Sequence, residues 1–180
     1  GEVSLNYAEG PSTGPPLILL PGFTGRWQAF LSIIPVLLPH WHLYALDYRG
    51  HGESGRTPGH SRAIDFLTDC LAFLERQVTE PAVLLGSSAG GSIALDMATL
   101  LPAHVRAVIG LDPFFDHEAY IAWFGAEDQA SWWVNERQLA GRPLEELLPT
   151  VPLERAEELS RLDPEALNYH AEGRPHEFFA

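Results

Sequence analysis

Short apolar runs alternate with longer amphipathic segments between residues 3 and 112, and this alternation most constrains the fold. The apolar runs predict strands at residues 3–7, 17–20, 42–46, 82–85 and 105–111. The intervening segments predict helices at residues 27–38, 61–78 and 90–101. Strands that alternate with helices join through right-handed crossovers into a mostly parallel sheet. We therefore expect an α/β protein with helices flanking that sheet.

Polar and turn-forming residues follow four of these predicted strands. They are Pro21-Gly22, Asp47, Ser88 and Asp112. Ligands of open parallel sheets bind at the carboxyl ends of the strands. The sequence therefore predicts a functional site at this edge of the sheet.

The most specific motif is Gly86-Ser87-Ser88-Ala89-Gly90-Gly91, between an apolar run and a predicted helix. It places G-x-S-x-G, centred on Ser88, on a sharp turn from strand to helix. A serine there lifts its hydroxyl off the sheet, beside backbone N–H groups at a helix N-terminus. This arrangement suits nucleophilic attack on an acyl carbon. The alternative is a turn serine without chemistry.

A nucleophilic serine needs donors for the oxyanion that forms on its substrate. Position suggests the N–H of Ala89, directly after the nucleophile, and the N–H of Phe23, in the turn over residues 20–25. Trp27 follows that turn and either lines the substrate pocket or packs under a lid formed by the C-terminal part of the chain. Asp47 is expected to hold the next loop in place, through Arg49, rather than to perform chemistry.

Two further patterns have structural interpretations. Residues 50–55 fit the dinucleotide motif G-x-G-x-x-G, but the next helix begins near Ser61, so the glycines do not open it. We interpret them as a loop beside the site. His40 and His42 have no grouping of Cys, Asp or Glu to complete a metal site, so solvated edge histidines are expected and no metal or cofactor is implied.

Charge and cysteine content narrow the class of partner. The formal net charge of −13 argues against nucleic acid and anionic membrane surfaces and leaves a small-molecule substrate. Cys70 is the single cysteine and lies on a predicted amphipathic helix, so we expect a buried thiol and a reducing compartment. With no leader or long apolar stretch in the sequence, we expect a soluble cytoplasmic protein.

The character of the chain changes after residue 113. Trp123, Trp132 and Trp133 are followed by acidic helical patterns, broken by prolines, with no strand alternation. We predict a core over residues 1–113 and a helical lid over residues 114–180. The acidic stretch 144–161 is expected to be a solvated face.

Four segments together resemble the α/β-hydrolase fold family. They are LLPGFTG (19–25), ALDYRGHGES (45–54), VLLGSSAGG (83–91) and AVIGLD (107–112). The resemblance implies Ser88 as nucleophile, Phe23 and Ala89 as backbone oxyanion donors, and a helical cap over about residues 114 to 172. In family members the cap is followed by strands whose loops carry the catalytic acid and then the histidine.

This resemblance implies that the chain ends, at Ala180, where that segment begins. Strand 105–111 would then be an apolar sheet edge, which invites pairing with another chain. We expect a fragment of a longer enzyme, or a partner strand or second copy covering this edge. Asp112 followed by His170 or His176 matches the order nucleophile, acid, histidine, which makes Asp112 a candidate acid.

These observations predict a serine hydrolase that acts on a small or medium-sized ester, or a related acyl substrate, through an acyl-enzyme at Ser88. Lyase or carbon–carbon bond hydrolase chemistry uses similar parts on the same fold. A catalytically inert ligand-binding protein or fragment is the alternative from another class, because fold does not fix function.

Overall fold

A five-stranded sheet forms the centre of the molecule in the computed structural model, which describes residues 3–113 and 134–167. The strands are β1 (Tyr7–Glu9), β2 (Pro16–Leu20), β3 (His42–Leu46), β4 (Ala82–Ser87) and β5 (Val105–Leu111). Their spatial order is β1-β3-β2-β4-β5. Only β1 is antiparallel to its neighbour, and the other pairings are parallel. The predicted fold class is confirmed.

Helices and 3₁₀ turns connect the strands and also follow the last of them. The helices are α1 (Ile34–Leu37), α2 (Ala63–Gln77), α3 (Ala89–Leu100), α4 (Leu144–Leu147) and α5 (Leu153–Ser160). Two 3₁₀ turns occupy Trp27–Phe30 and Pro164–Leu167, and residues 134–139 are also helical. We call residues 134–167 the C-terminal helical segment; they contain no strand.

Three predicted elements differ from those observed. The strand predicted at residues 3–7 lies instead at Tyr7–Glu9, because residues 4–6 bond to the loop after β3: Asn6 N–H donates to Ser54 Oγ at 2.8 Å. The single helix predicted over residues 27–38 is a 3₁₀ turn followed by α1, with Pro35 in the first turn of α1, where a missing N–H is tolerated.

The third difference is the start of α2. Arg62, rather than Ser61, is its N-cap residue, in a reciprocal capping arrangement with Asp65. The Arg62 N–H donates to Asp65 Oδ2 at 2.9 Å. This satisfies a backbone donor that the helix itself leaves unpaired.

Alternate residues of the strands face two separate apolar clusters, as the pleat of a sheet requires. Ile18, Leu20 and Leu84 face the cluster beneath α2 and α3. Leu17, Leu19 and Leu85 face the cluster covered by residues 27–41. The C-terminal helical segment joins the first cluster through its own buried leucines and alanines, which are Leu147, Ala156, Leu159, Leu162, Ala166 and Leu167.

Strand β5 is an edge of this sheet. Ile109 and Leu111 are 45% and 47% exposed, and among residues 3–113 and 134–167 only β4 pairs with β5. Apolar side chains at an unpaired edge are a template for association. Coverage of this edge by another strand stays a prediction.

Candidate active site

Ser88 occupies a sharp bend between β4 and α3. Its backbone dihedrals are φ 49° and ψ −120°, a region that side-chain-bearing residues rarely adopt. The Ser88 N–H donates to the carbonyl of Leu111 at 2.8 Å, and the Ser88 carbonyl accepts from the N–H of Gly91 at 2.9 Å. Ser88 is neither buried nor fully exposed. The bend therefore presents a strained serine at the carboxyl end of a buried parallel strand.

The glycines around Ser88 are required by close backbone contacts. A Cβ on Gly86 would overlap the carbonyl of Gly90, and a Cβ on Gly90 would overlap the carbonyls of Leu20 and Pro21. A Cβ on Gly91 would lie 2.8 Å from the Cβ of Pro113. No side chain fits at these positions without moving backbone. The spacing of the motif thus reflects the packing of the strand, the bend and the helix.

The turn after β2 lies against this bend. A Cβ built on Gly22 would lie 3.6 Å from the Cβ of Ser88. The turn is closed by the Gly25 N–H, which donates to the Gly22 carbonyl at 3.0 Å. We call residues 21–27 the oxyanion turn, because Phe23, the predicted donor, lies within it. The structure therefore brings Phe23 and Ser88 onto neighbouring backbone segments.

Ala89, the other predicted donor, is the first residue of α3. The first N–H groups of a helix have no carbonyl one turn earlier to bond. The helix dipole adds partial positive charge at the same place. An oxyanion formed at Ser88 would therefore meet a favourable electrostatic environment at the Ala89 amide.

Both ends of the oxyanion turn are held by the loop after β3. The Tyr48 hydroxyl donates to the Pro21 carbonyl at 2.9 Å, and the Trp27 N–H donates to Asp47 Oδ1 at 2.7 Å. The Asp47 carboxylate also accepts from Asn6 Nδ2 at 2.7 Å. Asp47 therefore has the structural role that was predicted for it.

The predicted involvement of Arg49 is wrong. Its guanidinium forms a two-pronged pair with Asp69 of α2, at 2.6 Å for each bond. The Asp47 carboxylate instead accepts from backbone N–H groups and the Asn6 amide. Gly52 must be glycine there because a Cβ would overlap that carboxylate. Residues 50–55 form a loop that supports the site.

Strained backbone is concentrated around this site. Among the residues that the structure describes, three non-glycine residues have positive φ: Thr24 (69°), Ser88 (49°) and Asp112 (55°). They follow β2, β4 and β5 at the same end of the sheet. Such strain persists only where surrounding contacts hold it, and it is enriched at functional sites.

Asp112 lies one residue beyond the Leu111 carbonyl that accepts from Ser88 N–H, and its side chain is exposed. It therefore lies beside the bend along the sheet edge. His170 and His176 lie outside the described residues, as do Trp123, Trp132 and Trp133.

The side chain of Trp27 is partly buried against the apolar cluster formed by Leu17, Leu19 and Phe30. This packing accounts for an apolar residue there. Contact between Trp27 and substrate stays a prediction.

Buried aromatic rings support the oxyanion turn from the side of α2. The ring centroid of Phe23 lies 5.7 Å from that of His51 and 6.1 Å from that of Phe66. Burial lowers the pKa of His51, so the neutral ring donates from Nδ1 to the Arg49 carbonyl at 2.9 Å. His51 is thus a packed core histidine under the turn.

Cys70 and His42 lie away from the bend and the oxyanion turn in the sequence. Cys70 is buried, as expected, and burial raises the pKa of its thiol. His42 Nε2 lies 2.8 Å from Glu9 Oε1, so it contacts a carboxylate rather than solvent alone.

Within residues 3–113 and 134–167 no group of three or more His, Cys, Asp or Glu could hold a metal ion. In the same residues no helix has the length and apolarity needed to cross a membrane.

The acidic stretch 144–161 is more than the solvated face that was expected. Glu157 of α5 pairs with the buried Arg26 of the oxyanion turn, at 2.6 Å. Arg155 of α5 contacts Thr24 and pairs with Glu158 at 2.6 Å. Sequence reasoning missed these residues, because charged residues at helical spacing are typical of any exposed helix.

Comparisons of the sequence and the fold with known proteins find related chains. A family model described as the alpha/beta hydrolase fold matches residues 15–177. The magnesium-chelatase 30 kDa subunit of Rhodobacter capsulatus is 34% identical over 109 residues, which are 60% of this chain and 38% of that protein. The pimeloyl-[acyl-carrier protein] methyl ester esterase of Xylella fastidiosa is 37% identical over 105 residues, 58% of this chain and 39% of that protein.

A solved structure is similar over most of the chain. The crystal structure of a hydrolase from Pseudomonas aeruginosa superposes with a TM-score of 0.67 and 22% identity, covering 93% of this chain and 66% of that one. At this identity the likeness concerns the fold. The chain spans less than half the length of the curated relatives that it matches.

Proposed function

This chain belongs to the alpha/beta hydrolase fold family, and from that premise we propose that it carries the nucleophile and oxyanion half of a serine hydrolase site. The substrate class is a small or medium-sized ester or a related acyl compound. The Xylella fastidiosa relative is named as a methyl ester esterase, which supports this substrate class. We also infer that the C-terminal helical segment is part of a cap over the strand ends.

In this mechanism the Ser88 hydroxyl attacks the acyl carbon and forms a tetrahedral oxyanion. The N–H groups of Phe23 and Ala89 donate to that oxyanion, and the alcohol leaves to give an acyl-enzyme. Water then attacks the same carbon, releases the acid and restores the hydroxyl. Each preorganised donor of this kind contributes about 3 kcal/mol to lowering the barrier.

A base must accept the proton of Ser88 and pass it to the oxygen of the departing alcohol. It then takes a proton from the attacking water and returns it to Ser88 as the acid is released. Family triads follow the chain order nucleophile, acid, histidine, and we assign the acid to Asp112, next to the residue bonded to Ser88. His170 and His176 follow in that order and are candidates for the base. Without a base, activity would fall by several orders of magnitude, while the backbone donors would still act.

One observation carries the proposal: the strained, partly exposed conformation of Ser88 at φ 49° and ψ −120°, against the oxyanion turn. Packing alone gives no reason for a side chain in a region that favours glycine. The flanking positions are glycine wherever a Cβ would clash, yet the central residue is serine. Retaining a hydroxyl at the strained position is what nucleophilic catalysis requires.

A second candidate is a catalytically inert protein of this fold that binds a ligand or a partner. One relative is named as a magnesium-chelatase subunit rather than as a hydrolase, which supports this second candidate. The two candidates differ in one property, the reactivity of the Ser88 hydroxyl.

A fluorophosphonate probe separates them. We expect covalent labelling of the folded chain, its loss in Ser88→Ala, and its retention in the matched control Ser87→Ala, which removes the neighbouring hydroxyl in the same bend. Intact-mass measurement should count one adduct, and peptide mapping should locate it at Ser88. A folded chain that takes up no probe would contradict the hydrolase and support the inert protein, whereas Ser88→Ala labelled like the parent would contradict the role of Ser88 as nucleophile.

A further inference from the structure

The middle of the oxyanion turn, unlike its ends, is held by a distant part of the chain. Tyr48 and Asp47 bond to Pro21 and Trp27, the two ends of the turn. The intervening residues 23–26 include the predicted donor Phe23. Contacts to these middle residues decide how firmly its N–H is aimed.

Two side-chain contacts from α5 reach this middle part. The terminal nitrogens of Arg155 donate to Thr24 Oγ1, each at 3.3 Å. Glu157 accepts from a terminal nitrogen of Arg26 at 2.6 Å, and Arg26 is only 6% exposed. Charge-assisted bonds to buried groups are stronger than exposed ion pairs.

Arg155 is itself oriented by two carboxylates. It pairs with Glu158 on the next turn of α5 at 2.6 Å and with the buried Glu136. A guanidinium presents its donors in a rigid planar fork, so fixing two of its edges fixes the direction of the others. Arg155 therefore approaches Thr24 in one orientation.

Thr24 needs such support. Its φ of 69° is unfavourable for a β-branched residue, and it is 6% exposed, so solvent does not stabilise it. Because Thr24 directly follows Phe23, a change in its φ would turn the peptide between them. The preceding Gly22–Phe23 peptide, which carries the Phe23 N–H, would then have to readjust to keep the turn closed. The strained residue and the distant arginine thus form one unit.

We propose that α5 clamps the oxyanion turn, with Arg155 on Thr24 and Glu157 on Arg26 as positioning residues that hold the Phe23 N–H towards Ser88. The inference rests on the proposed function for its catalytic consequence. Arg155 and Glu157 touch no reacting atom and act through the turn. Movement of the C-terminal helical segment would therefore change the nucleophile's oxyanion donors as well as access to them.

The test compares Arg155→Met with two matched arginine variants in the full chain. Arg142→Met removes a pair with Glu146 inside the C-terminal helical segment, at 2.8 Å. Arg161→Met removes a pair with Glu53 that also joins this segment to the core but lies outside the oxyanion turn. Arg155→Lys keeps the charge without the fork and serves if Arg155→Met does not fold.

Two readouts are taken on each variant. Hydrogen exchange of peptides covering residues 21–27 reports the order of the turn without requiring activity. The rate of fluorophosphonate labelling at Ser88 reports the oxyanion donors. For Arg155→Met we expect faster exchange in this turn and labelling slowed by about tenfold or more, with both readouts unchanged in Arg142→Met and Arg161→Met.

A further variant separates positioning from general stabilisation. Thr24→Gly relieves the strain at φ 69°, so Arg155→Met should slow labelling less in the Thr24→Gly background than in the parent. If Arg155 only stabilised the fold, Arg155→Met would lower the unfolding midpoint equally in both backgrounds. It would then leave the labelling rate of the folded protein unchanged.

The outcomes are distinguishable. Unchanged exchange over residues 21–27 in Arg155→Met overturns the clamp, and faster exchange with an unchanged labelling rate overturns its catalytic consequence. A parent chain that never reacts with the probe refutes the proposed function and with it that consequence, while the exchange data still decide whether α5 orders the turn.

Discussion

The bend that carries Ser88 and the oxyanion turn beside it are both strained, yet different forces hold them. The bend is determined by backbone contacts: Gly86 and Gly90 allow β4, α3 and β2 to approach so closely that no Cβ fits. The oxyanion turn is held by side chains from other elements, Tyr48 and Asp47 at its ends and Arg155 in its middle.

This difference teaches that two halves of one site can have different vulnerabilities. A bend built from steric close approach tolerates almost no added atoms, but it needs no partner outside its neighbouring strands and helix. A turn held by hydrogen bonds tolerates added atoms where space exists, but it loosens when a distant partner is removed. The following predictions test that contrast.

Glycine substitutions should give the largest contrast. Gly86→Ala should destabilise the chain by about 3 kcal/mol or more, because its Cβ would overlap backbone that cannot yield. Gly22→Ala in the oxyanion turn is the matched control, since its Cβ meets its nearest atom at 3.5 Å. It should cost less than about 1 kcal/mol. Urea unfolding midpoints measure both, and equal losses would contradict the contrast.

Removing the carboxylate that anchors the oxyanion turn should give the next largest effect. Asp47→Ala leaves the Trp27 and Glu53 N–H groups and the Asn6 amide, whose bonds to Asp47 are partly buried, without their acceptor, and should cost about 3 kcal/mol. Asp47→Asn keeps one oxygen and should lose less. Fluorophosphonate labelling at Ser88 should also slow. A stable Asp47→Ala chain with normal labelling would show that the turn holds itself.

Substitutions that relieve backbone strain should stabilise the chain, whereas the preceding substitutions destabilise it. Ser88→Gly should raise the free energy of unfolding by about 1 kcal/mol, because glycine adopts φ 49° and ψ −120° readily. Thr24→Gly should gain less, since it also loses the contacts from Arg155. Ser88→Ala keeps the strain and should change stability little. A loss of stability in Ser88→Gly would argue that the bend is unstrained.

The smallest predicted effect is electrostatic. Burial raises the pKa of Asp96, on the helix that follows the bend, to about 6. A raised carboxyl pKa means that the folded state binds the proton more tightly, so stability is lost as pH rises from 3.8 to about 6. Asp96→Asn should therefore stabilise the chain by about 1 kcal/mol at neutral pH and not at all below pH 3.8.

Glu136 provides the control for Asp96. Burial also raises its pKa, but Arg155 opposes the shift and bonds to its carboxylate. Glu136→Gln removes this partner, so it should not stabilise the chain at neutral pH. Thermal unfolding across pH measures both variants, and equal stabilisation would show that the pairing with Arg155 contributes nothing.

Much of the fold was predictable because each central strand coincides with a short apolar run in the sequence. The strand at residues 42–46 and the strand at residues 105–111 lie where their apolar runs predicted them. The strand at residues 3–7 was misplaced because its residues bond to the loop after β3, a contact between positions 48 residues apart for Asn6 and Ser54. Alternation in so short a segment carries no information about such a partner.

The site divides in the same way. Ser88 and its glycines are adjacent in the chain, so their spacing predicted the bend. Asp47 was predicted to be structural, but its partners were not, because two of them are backbone N–H groups, which every residue but proline carries, and the third is the distant Asn6 amide. Arg155 and Thr24 are 131 residues apart, and no periodicity links them.

The amino-acid sequence alone determined the order of strands and helices and the position of the strained serine, because both depend on short-range patterns of apolar, small and polar residues. Tertiary structure decided what orients the oxyanion turn, since hydrogen bonds and ion pairs act only between groups that folding brings within about 3 Å. The sequence alone does not distinguish a charged residue of α5 that is solvated from one that contacts the oxyanion turn.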